Sequence, residues 1–227
     1  MDNQLIRTQM LIGEDAINKL KNSAVAVFGI GGVGGYTVEA LARCGVGRLD
    51  LIDSDTIDIT NLNRQIYALN STIGMDKVEV AKKRILDINP NIKVNTYKTF
   101  YLPENANKFD LSKYDYIVDA VDTVTAKIEL VVNAQKCNTP IISSMGTGNK
   151  LLADQFIVSD IYKTDTCPLA RVMRKELKVR GIKKLKVVYS KEEIIKTNTS
   201  TPASISYVPA TAGLIIAQEV IKDLISK

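Results

Sequence analysis

The stretch "AVAVFGIGGVGGYTVEALARCGVGRLDLID", residues 24–53, indicates the fold through its alternation of apolar runs with a helical segment. "AVAVFG" is typical of a buried strand, residues 33–44 have the pattern of a helix, and "RLDLID" is typical of a second strand. Glycines at the first junction follow the spacing G-x-G-x-x-G. The stretch therefore predicts a strand–helix–strand unit whose turn favours phosphate.

The same alternation continues along the chain. Residues 76–88 and 125–136 are predicted helices, while "YDYIVDAVD" (114–122) and "PIISSMG" (140–146) are predicted strands. Strands and helices at this spacing predict an α/β fold, a Rossmann-like and mainly parallel sheet with helices on both faces. Ligands of such sheets bind at the carboxyl ends of the strands.

Beyond residue 150 the pattern becomes less regular. "QFIVSDIY" (155–162) and "KLKVVYS" (184–190) are predicted strands that flank a basic helix, residues 191–204 form a polar loop, and "AGLIIAQEVIKDLI" (212–225) is a closing helix. We expect a single domain over residues 1–227. Its core covers about residues 20–150, and a basic C-terminal extension of strands and a helix covers about residues 151–227.

The composition excludes several classes of site. The 227-residue chain has no histidine, and its three cysteines, Cys44, Cys137 and Cys167, form no CxxC pair. Zinc sites with paired cysteines and nucleophile systems that need histidine are therefore excluded. No apolar run approaches the roughly 20 residues of a membrane span, and residues 1–13 lack a signal-peptide pattern. We expect a cytoplasmic protein without a membrane partner.

The glycine turn and the second strand supply candidates for nucleotide binding. A glycine turn before a helix lets backbone N–H groups approach a phosphate, and four glycines are candidates for this role: Gly29, Gly31, Gly32 and Gly34. Asp53 ends the second strand about 20 residues later, where a carboxylate accepts hydrogen bonds from ribose, and Asp55 follows it. An NAD(P)-binding oxidoreductase and an ATP-using enzyme both predict these residues.

The residues that follow favour ATP. "NLNRQ" contains Asn61, Arg64 and Gln65, and Lys77 lies near the start of the next helix. Two cations beyond the sugar suit a triphosphate, whose charge grows during displacement, better than a nicotinamide ring.

Two acids, Asp119 and Asp122, end a later strand in "DAVD". Magnesium is usually held by one or two carboxylates together with phosphate oxygens. The sequence therefore predicts a magnesium site at this strand end. Alternatively, Arg64 and Lys77 are surface cations and Asp119 caps a helix.

The combination of these motifs resembles the ThiF-type adenylyltransferases, whose superfamily includes the ubiquitin-activating enzymes. The resemblance rests on "GIGGVG", "DSD", "NLNRQ", "GMDK" and "DAVD", and it covers about residues 5–150. It implies that a carboxylate oxygen attacks the α-phosphate of magnesium ATP and releases pyrophosphate.

The resemblance also implies individual roles. Gly31 lies under the phosphates, and Asp53 holds the ribose. The phosphates are held by three side chains: Asn61, Arg64 and Lys77. Asp122 is the magnesium ligand and catalytic acid. Arg7 in "IRTQMLIG" matches the amino-terminal arginine with which this family reaches the partner subunit's ATP, and this match implies a homodimer with shared sites.

Within this superfamily, nearly the whole chain resembles the tRNA threonylcarbamoyladenosine dehydratases. The segments that carry this resemblance include "RTQMLIGEDAINKLKNS", "TNLNRQIYAL", "CPLARVMRKELKVRGIKKLKVVYS" and "ISYVPATAGLIIAQEVIKDLI". It implies that ATP activates the threonyl carboxylate of the modified adenosine next to the anticodon of tRNA, which then closes a ring with loss of water.

Two other functions stay open at this point, an adenylyltransferase for a ubiquitin-like sulfur-carrier protein and an NAD(P)-binding oxidoreductase. A bound monovalent cation, Na⁺ or K⁺, and a sulfur-transfer protein partner also stay open.

Positive charge is concentrated in the last third of the chain. Residues 1–150 contain 17 basic and 17 acidic side chains, whereas residues 151–227 contain 13 and 8. The candidates for contact with tRNA phosphates are Arg171, Arg174, Lys175, Lys178, Lys183 and Lys184. Alternatively, this run is the solvated face of a helix.

Cys167 precedes a proline at a predicted helix start, where a thiol could form a thioester. Ring closure within the substrate needs no protein nucleophile, so we favour a packing role for this cysteine and for Cys44 and Cys137.

Overall fold

The computed structural model describes residues 3–199 and 201–226 and contains a seven-stranded sheet with helices on both faces. The strands are β1 (Ala24–Phe28), β2 (Arg48–Ile52), β3 (Lys93–Tyr97), β4 (Tyr116–Asp119), β5 (Ile141–Ser144), β6 (Phe156–Asp160) and β7 (Lys186–Ser190). The α-helices are α1 (Ile6–Ile12), α2 (Glu14–Asn22), α3 (Gly34–Arg43), α4 (Lys77–Ile88), α5 (Val124–Lys136), α6 (Pro168–Val179) and α7 (Tyr207–Ile225).

The strands lie in the order β3-β2-β1-β4-β5-β7-β6, and all neighbouring pairs are parallel except β7 with β6. The chain builds outward from β1 to β3 and then returns to start β4 on the other side of β1. This reversal creates a crevice at the carboxyl ends of β1 and β4, where doubly wound sheets bind their ligands. The predicted α/β fold is confirmed.

Two apolar cores cover the two faces of the sheet. Side chains of α3, α4 and α7, such as Leu41, Ile85 and Val220, pack on one face. Side chains of α5 and α6, such as Val131 and Met173, pack on the other. The central strands are buried on both faces because helices cover both, which explains why β1 and β4 are apolar almost without interruption.

β3 is the strand that the sequence patterns did not predict. It lies at the edge of the sheet, and of its five residues only Val94 is buried. Polar contacts attach it, because Asn95 Nδ2 donates to Asp50 Oδ1 at 2.8 Å and Tyr97 Oη donates to Asp50 Oδ2 at 3.3 Å. Such an edge strand carries no apolar run that alternation could reveal.

The last third of the chain extends the same sheet. β7 pairs with β5, β6 pairs with β7, and α6 lies between them in the sequence, as predicted for the two strands and the basic helix. The predicted polar loop 191–204 includes Ser200, which lies outside the described residues. None of the helices in the described part of the chain has the length and apolar character that a membrane crossing requires.

Candidate active site

A cavity of about 510 Å³ opens at the carboxyl ends of β1, β2 and β4. It brings together ten of the residues that the sequence predicts for ATP binding and catalysis: Gly29, Gly31, Gly32, Asp53, Asp55, Asn61, Arg64, Gln65, Lys77 and Asp122. These residues come from five separate segments of the chain. Gly34 and Arg7 are the two predicted residues of this set that do not line the cavity.

The glycine turn is shaped by close backbone packing. Gly29 has a φ of 87°, and a Cβ atom there would lie 2.5 Å from the Ala120 carbonyl oxygen. A Cβ atom on Gly34 would lie 1.8 Å from the Gly29 carbonyl oxygen, so Gly34 lets α3 start directly against β1. No side chain caps the amino end of α3. Its first N–H groups therefore lack a side-chain acceptor, which suits them to a phosphate.

Asp53 connects the glycine turn with the segment after β2. Its Oδ2 accepts a hydrogen bond from the Ile30 N–H at 2.6 Å, and its Oδ1 accepts one from the Asp55 N–H at 2.8 Å. Burial raises the pKa of the Asp53 carboxyl, and nearby Lys77 partly opposes this shift. Each carboxylate oxygen retains a lone pair for a ribose hydroxyl.

Lys77 starts α4 and is almost fully buried. Its Nζ lies 2.7 Å from Asp55 Oδ2, and the Asp55 side chain is half exposed in the cavity. The ammonium group thus already has a carboxylate partner. When a phosphate binds Lys77, it replaces the Asp55 carboxylate as the anionic partner of the ammonium group.

The "NLNRQ" segment forms a tight turn against the cavity. Asn61 is buried, and its Oδ1 accepts the Asp58 N–H at 3.1 Å, so the amide is oriented by the turn itself. Arg64 Nη1 donates to the Thr60 carbonyl at 2.8 Å and to Asn63 Oδ1 at 2.9 Å. The guanidinium retains further N–H donors for a ligand.

The two acids of "DAVD" occupy different environments. Asp119 is fully buried and contacts Lys127 Nζ, which is also fully buried, at 3.0 Å. Asp122 is exposed in the cavity. Asp119 is therefore a buried ion-pair partner instead of a helix cap or a ligand within reach of the cavity.

Among the described residues, no cluster of three or more His, Cys, Asp or Glu side chains could hold a metal by itself. The residues fit magnesium in another way, because the exposed carboxylate of Asp122 lies in the same cavity as Arg64 and Lys77, the side chains predicted to hold the phosphates. Magnesium in ATP sites commonly combines one or two carboxylates with phosphate oxygens.

The residues of the opposite wall of the cavity were harder to predict from sequence motifs. Residues 144–148 comprise the last residue of β5 and the segment after it, as expected for a strand end, but residues 99–101 lie after the unpredicted β3. Residues 201–204 also line the cavity. Asn149 fastens this last segment, because its N–H donates to the Ala203 carbonyl at 2.8 Å and its Oδ1 accepts the Ala203 N–H at 2.6 Å. No sequence motif predicts this contact, because Asn149 and Ala203 are 54 residues apart in the chain.

The predicted basic residues lie outside the cavity and have different surroundings. Five of them are exposed: Arg171, Lys175, Lys178, Lys183 and Lys184. Arg174 instead donates to the Thr164 carbonyl at 2.8 Å and to the Thr164 hydroxyl, which ties α6 to the segment before it. Arg7 is exposed on α1.

The three cysteines lie apart from one another. Cys167 is 1% exposed and packs in the core under α6, Cys44 is partly buried, and Cys137 is exposed. The buried position of Cys167 favours packing over thioester chemistry.

Comparison with known proteins identifies the family of this chain. The model of the ThiF family matches residues 3–227. The tRNA threonylcarbamoyladenosine dehydratase of Bacillus subtilis is 43% identical over 243 residues, which covers 99% of this chain and 96% of that protein. The adenylyltransferase and sulfurtransferase UBA4 of Debaryomyces hansenii is 39% identical but covers 56% of this chain and 28% of its own length.

Among solved structures, the chain is similar to the E. coli tRNA N6-threonylcarbamoyladenosine dehydratase. In its complex with AMP the TM-score is 0.92 at 33% identity, with 97% of this chain and 93% of that chain covered. In its complex with ATP the TM-score is also 0.92, at 32% identity, with 98% and 94% covered. The chain therefore belongs to the ThiF family, and within it to the tRNA threonylcarbamoyladenosine dehydratases.

Proposed function

We propose that this chain catalyses the ATP-dependent dehydration of threonylcarbamoyladenosine next to the anticodon of tRNA, through adenylation of its carboxylate. The observation that carries the proposal is the meeting of Arg64, Lys77 and Asp122 with the glycine turn in one cavity. The whole-length relatives are named for this reaction, and one of them was solved with ATP and with AMP.

Different segments that line the cavity are assigned to different parts of ATP. The glycine turn at Gly31 and Gly32, just before α3, receives phosphate oxygens, and Asp53 accepts hydrogen bonds from the ribose hydroxyls. Arg64 and Lys77 hold the triphosphate and stabilise the charge that grows on it. Asp122 would hold a magnesium ion together with phosphate oxygens, and that ion would neutralise more of this charge.

The reaction proceeds in two displacements. An oxygen of the threonyl carboxylate attacks the α-phosphorus, the bond to the β-phosphate oxygen breaks, and pyrophosphate leaves. The carbamoyl nitrogen or oxygen of the same modification then attacks the activated carbonyl carbon, a proton is lost from a carbamoyl nitrogen, and AMP leaves. The second nucleophile is already close to its target, so a chain without histidine needs no covalent intermediate of its own.

The tRNA contacts follow from the position of α6. Leu169, in its first turn, lines the cavity, and the exposed Arg171, Lys175 and Lys178 lie farther along the same helix. A helix of twelve residues is about 18 Å long. Its exposed basic side chains therefore lie at increasing distance from the cavity along α6, where they can bind the phosphates of a tRNA whose modified nucleoside enters the site.

We also propose a cytoplasmic homodimer in which Arg7 reaches the partner subunit's ATP. Arg7 is exposed on α1 and does not line the cavity of its own chain. On the same helix Met10 is 79% and Leu11 is 85% exposed, and a second copy that covers them would bring Arg7 against another subunit.

The second candidate function is adenylation of a sulfur-carrier protein. The match to the UBA4 adenylyltransferase favours it, but this match covers only about half of the chain, whereas the dehydratase match covers nearly all of it. The ATP and AMP complexes of the E. coli relative favour ATP over NAD(P) as the ligand of this cavity.

The test is to incubate the protein with magnesium ATP and tRNA from cells that lack the enzyme, and to examine the nucleosides by mass spectrometry. We expect threonylcarbamoyladenosine to lose the mass of one water, with AMP and pyrophosphate formed in equal amounts. Parallel reactions in Na⁺ and K⁺ salts test for a bound monovalent cation. An unchanged nucleoside, together with ATP–pyrophosphate exchange driven by a carrier protein that ends in Gly-Gly, would instead establish the second candidate.

A further inference from the structure

A buried ion pair lies directly behind the loop that carries Asp122. Lys127, on α5, and Asp119, the last residue of β4, are both 0% exposed. Lys127 Nζ is 3.0 Å from each carboxylate oxygen of Asp119. Neither residue lines the cavity, so this pair does not touch a ligand there.

The pair holds both polar backbone groups of Val121. Lys127 Nζ donates to the Val121 carbonyl at 3.0 Å, and the Val121 N–H donates to Asp119 Oδ1 at 3.3 Å. Asp122 follows directly in the chain. Because the peptide between these two residues is planar, fixing the Val121 carbonyl also fixes the backbone from which Asp122 extends.

The other side of the loop has no room to adjust. The Ala120 N–H donates to the Phe28 carbonyl at 2.8 Å, and Gly29 packs so tightly against Ala120 that a Cβ atom would lie 2.5 Å from its oxygen. The loop is thus held between the glycine turn and the ion pair. A shift of Val121 would move Asp122 relative to the phosphates.

Stability alone is a weak explanation for this pair. Burying two charges costs desolvation energy, and apolar residues of similar volume often replace such pairs without loss of stability. The carboxylate of Asp119 depends on Lys127, because within the described residues its Oδ2 has no hydrogen-bond partner apart from this ion-pair contact. The pair lies directly against the loop that carries Asp122 and donates a hydrogen bond to it.

We infer that Lys127 is a positioning residue for the ATP-dependent step, which acts through Asp119 and the Val121 carbonyl to set the position of Asp122. The inference rests on the proposed role of Asp122 as the magnesium ligand. It assigns to Lys127 no contact with ATP or tRNA.

The experiment measures ATP binding by calorimetry with and without magnesium, in the full chain and without tRNA. The test variant is Asp119→Asn with Lys127→Met, which removes both charges and the donor to Val121. We expect it to bind ATP without magnesium as the wild type does, and to lose about tenfold of the affinity that magnesium adds. Asp122→Ala should lose the same increment, and adding it to the double variant should change nothing more.

Two outcomes would overturn the inference. One is a folded double variant with the full magnesium increment, and the other is a loss that adds to that of Asp122→Ala. If the double variant does not fold, Lys127→Arg replaces it, because arginine retains the charge but moves the donor. An increment reduced at least threefold is then expected, and an unchanged increment contradicts the inference.

The proposed function can fail separately. A wild type that binds magnesium ATP but leaves tRNA unchanged would contradict the dehydratase proposal and leave the result for Lys127 intact. A wild type without any magnesium-dependent gain in ATP affinity would contradict the roles of both Lys127 and Asp122.

Discussion

Lys77 Nζ lies 2.7 Å from Asp55 Oδ2, so the cation that we assign to the phosphates is paired with a carboxylate of the same cavity. The lysine is almost fully buried, whereas the Asp55 side chain is 50% exposed. An incoming phosphate therefore competes with an acid that can turn away into solvent. This contact orients the buried ammonium group before ATP binds.

Replacing this acid should strengthen ATP binding. In Asp55→Asn the phosphate no longer displaces a carboxylate, and we expect the KM for ATP to fall about two- to fivefold, the range of a half-exposed ion pair. Steady-state kinetics with varied ATP check this. Asp87→Asn, which replaces an exposed acid on α4, the helix that Lys77 starts, is the matched control. A higher KM in Asp55→Asn would mean that Asp55 itself binds the nucleotide.

Arg64 should be needed for the chemical step. Arg64→Ala removes a cation that stabilises the growing charge, and we expect kcat to fall about 100- to 1,000-fold. Single-turnover measurement of AMP formation checks this. Arg43→Ala is the control, because Arg43 contacts Glu39 at 2.7 Å and does not line the cavity. Normal turnover in Arg64→Ala would remove the mechanism.

The exposed basic residues of α6 should bind tRNA without affecting ATP. In the triple variant Arg171→Ala, Lys175→Ala and Lys178→Ala, we expect weaker tRNA binding. The fall of log affinity with log salt concentration should also become shallower, by about two units of slope. The affinity for ATP should not change.

Filter binding at several salt concentrations measures this slope. The control variant removes three charges elsewhere, at Lys82, Lys83 and Lys93. Equal effects of the two triple variants would show that only net charge matters and that α6 is not the tRNA surface.

Asp50 should stabilise the fold in a pH-dependent way. Burial opposes its charge, but hydrogen bonds from Arg48, Tyr114 and Asn95 outweigh burial and lower the pKa of this carboxyl. A carboxyl whose pKa is lower in the folded state stabilises the protein above its unfolded pKa of about 3.9, and this contribution is lost as the pH falls through the folded pKa.

We therefore expect Asp50→Asn to reduce the free energy of unfolding by about 3 kcal/mol at pH 7, because it leaves Arg48 without its buried partner. The difference from the wild type should shrink as the pH is lowered below about 4. Urea denaturation at several pH values checks both. A difference that stays constant with pH would contradict the charge-dependent role.

Cys167 should be dispensable for the chemistry. Because it is 1% exposed and packs in a core, Cys167→Ala should retain turnover within a few-fold and lower the melting temperature through the cavity that it leaves. Cys137→Ala, at an exposed position, should change neither. A stable Cys167→Ala protein that releases pyrophosphate but forms no dehydrated nucleoside would point to a thioester intermediate.

Several roles could not be predicted because they depend on distant partners. Arg174 and Arg171 look equivalent in a basic run, yet only Arg174 donates to Thr164. Residues 201–204 carry no nucleotide motif, but Asn149 holds them against the cavity through Ala203. Local patterns do not record which segment packs on which.

By itself, the sequence determined the doubly wound sheet and predicted many of the polar residues that line its cavity, because strand and helix periodicity is local and parallel strands end at one edge of the sheet. Only the tertiary structure decided how the acids and cations divide their roles. It buried Asp119 against Lys127, left Asp122 in the cavity and paired Lys77 with Asp55. Burial and ion pairing depend on neighbours that only the fold brings close. For this reason two aspartates of the same short motif differ: Asp119 is a buried ion-pair partner, and Asp122 is open to the cavity.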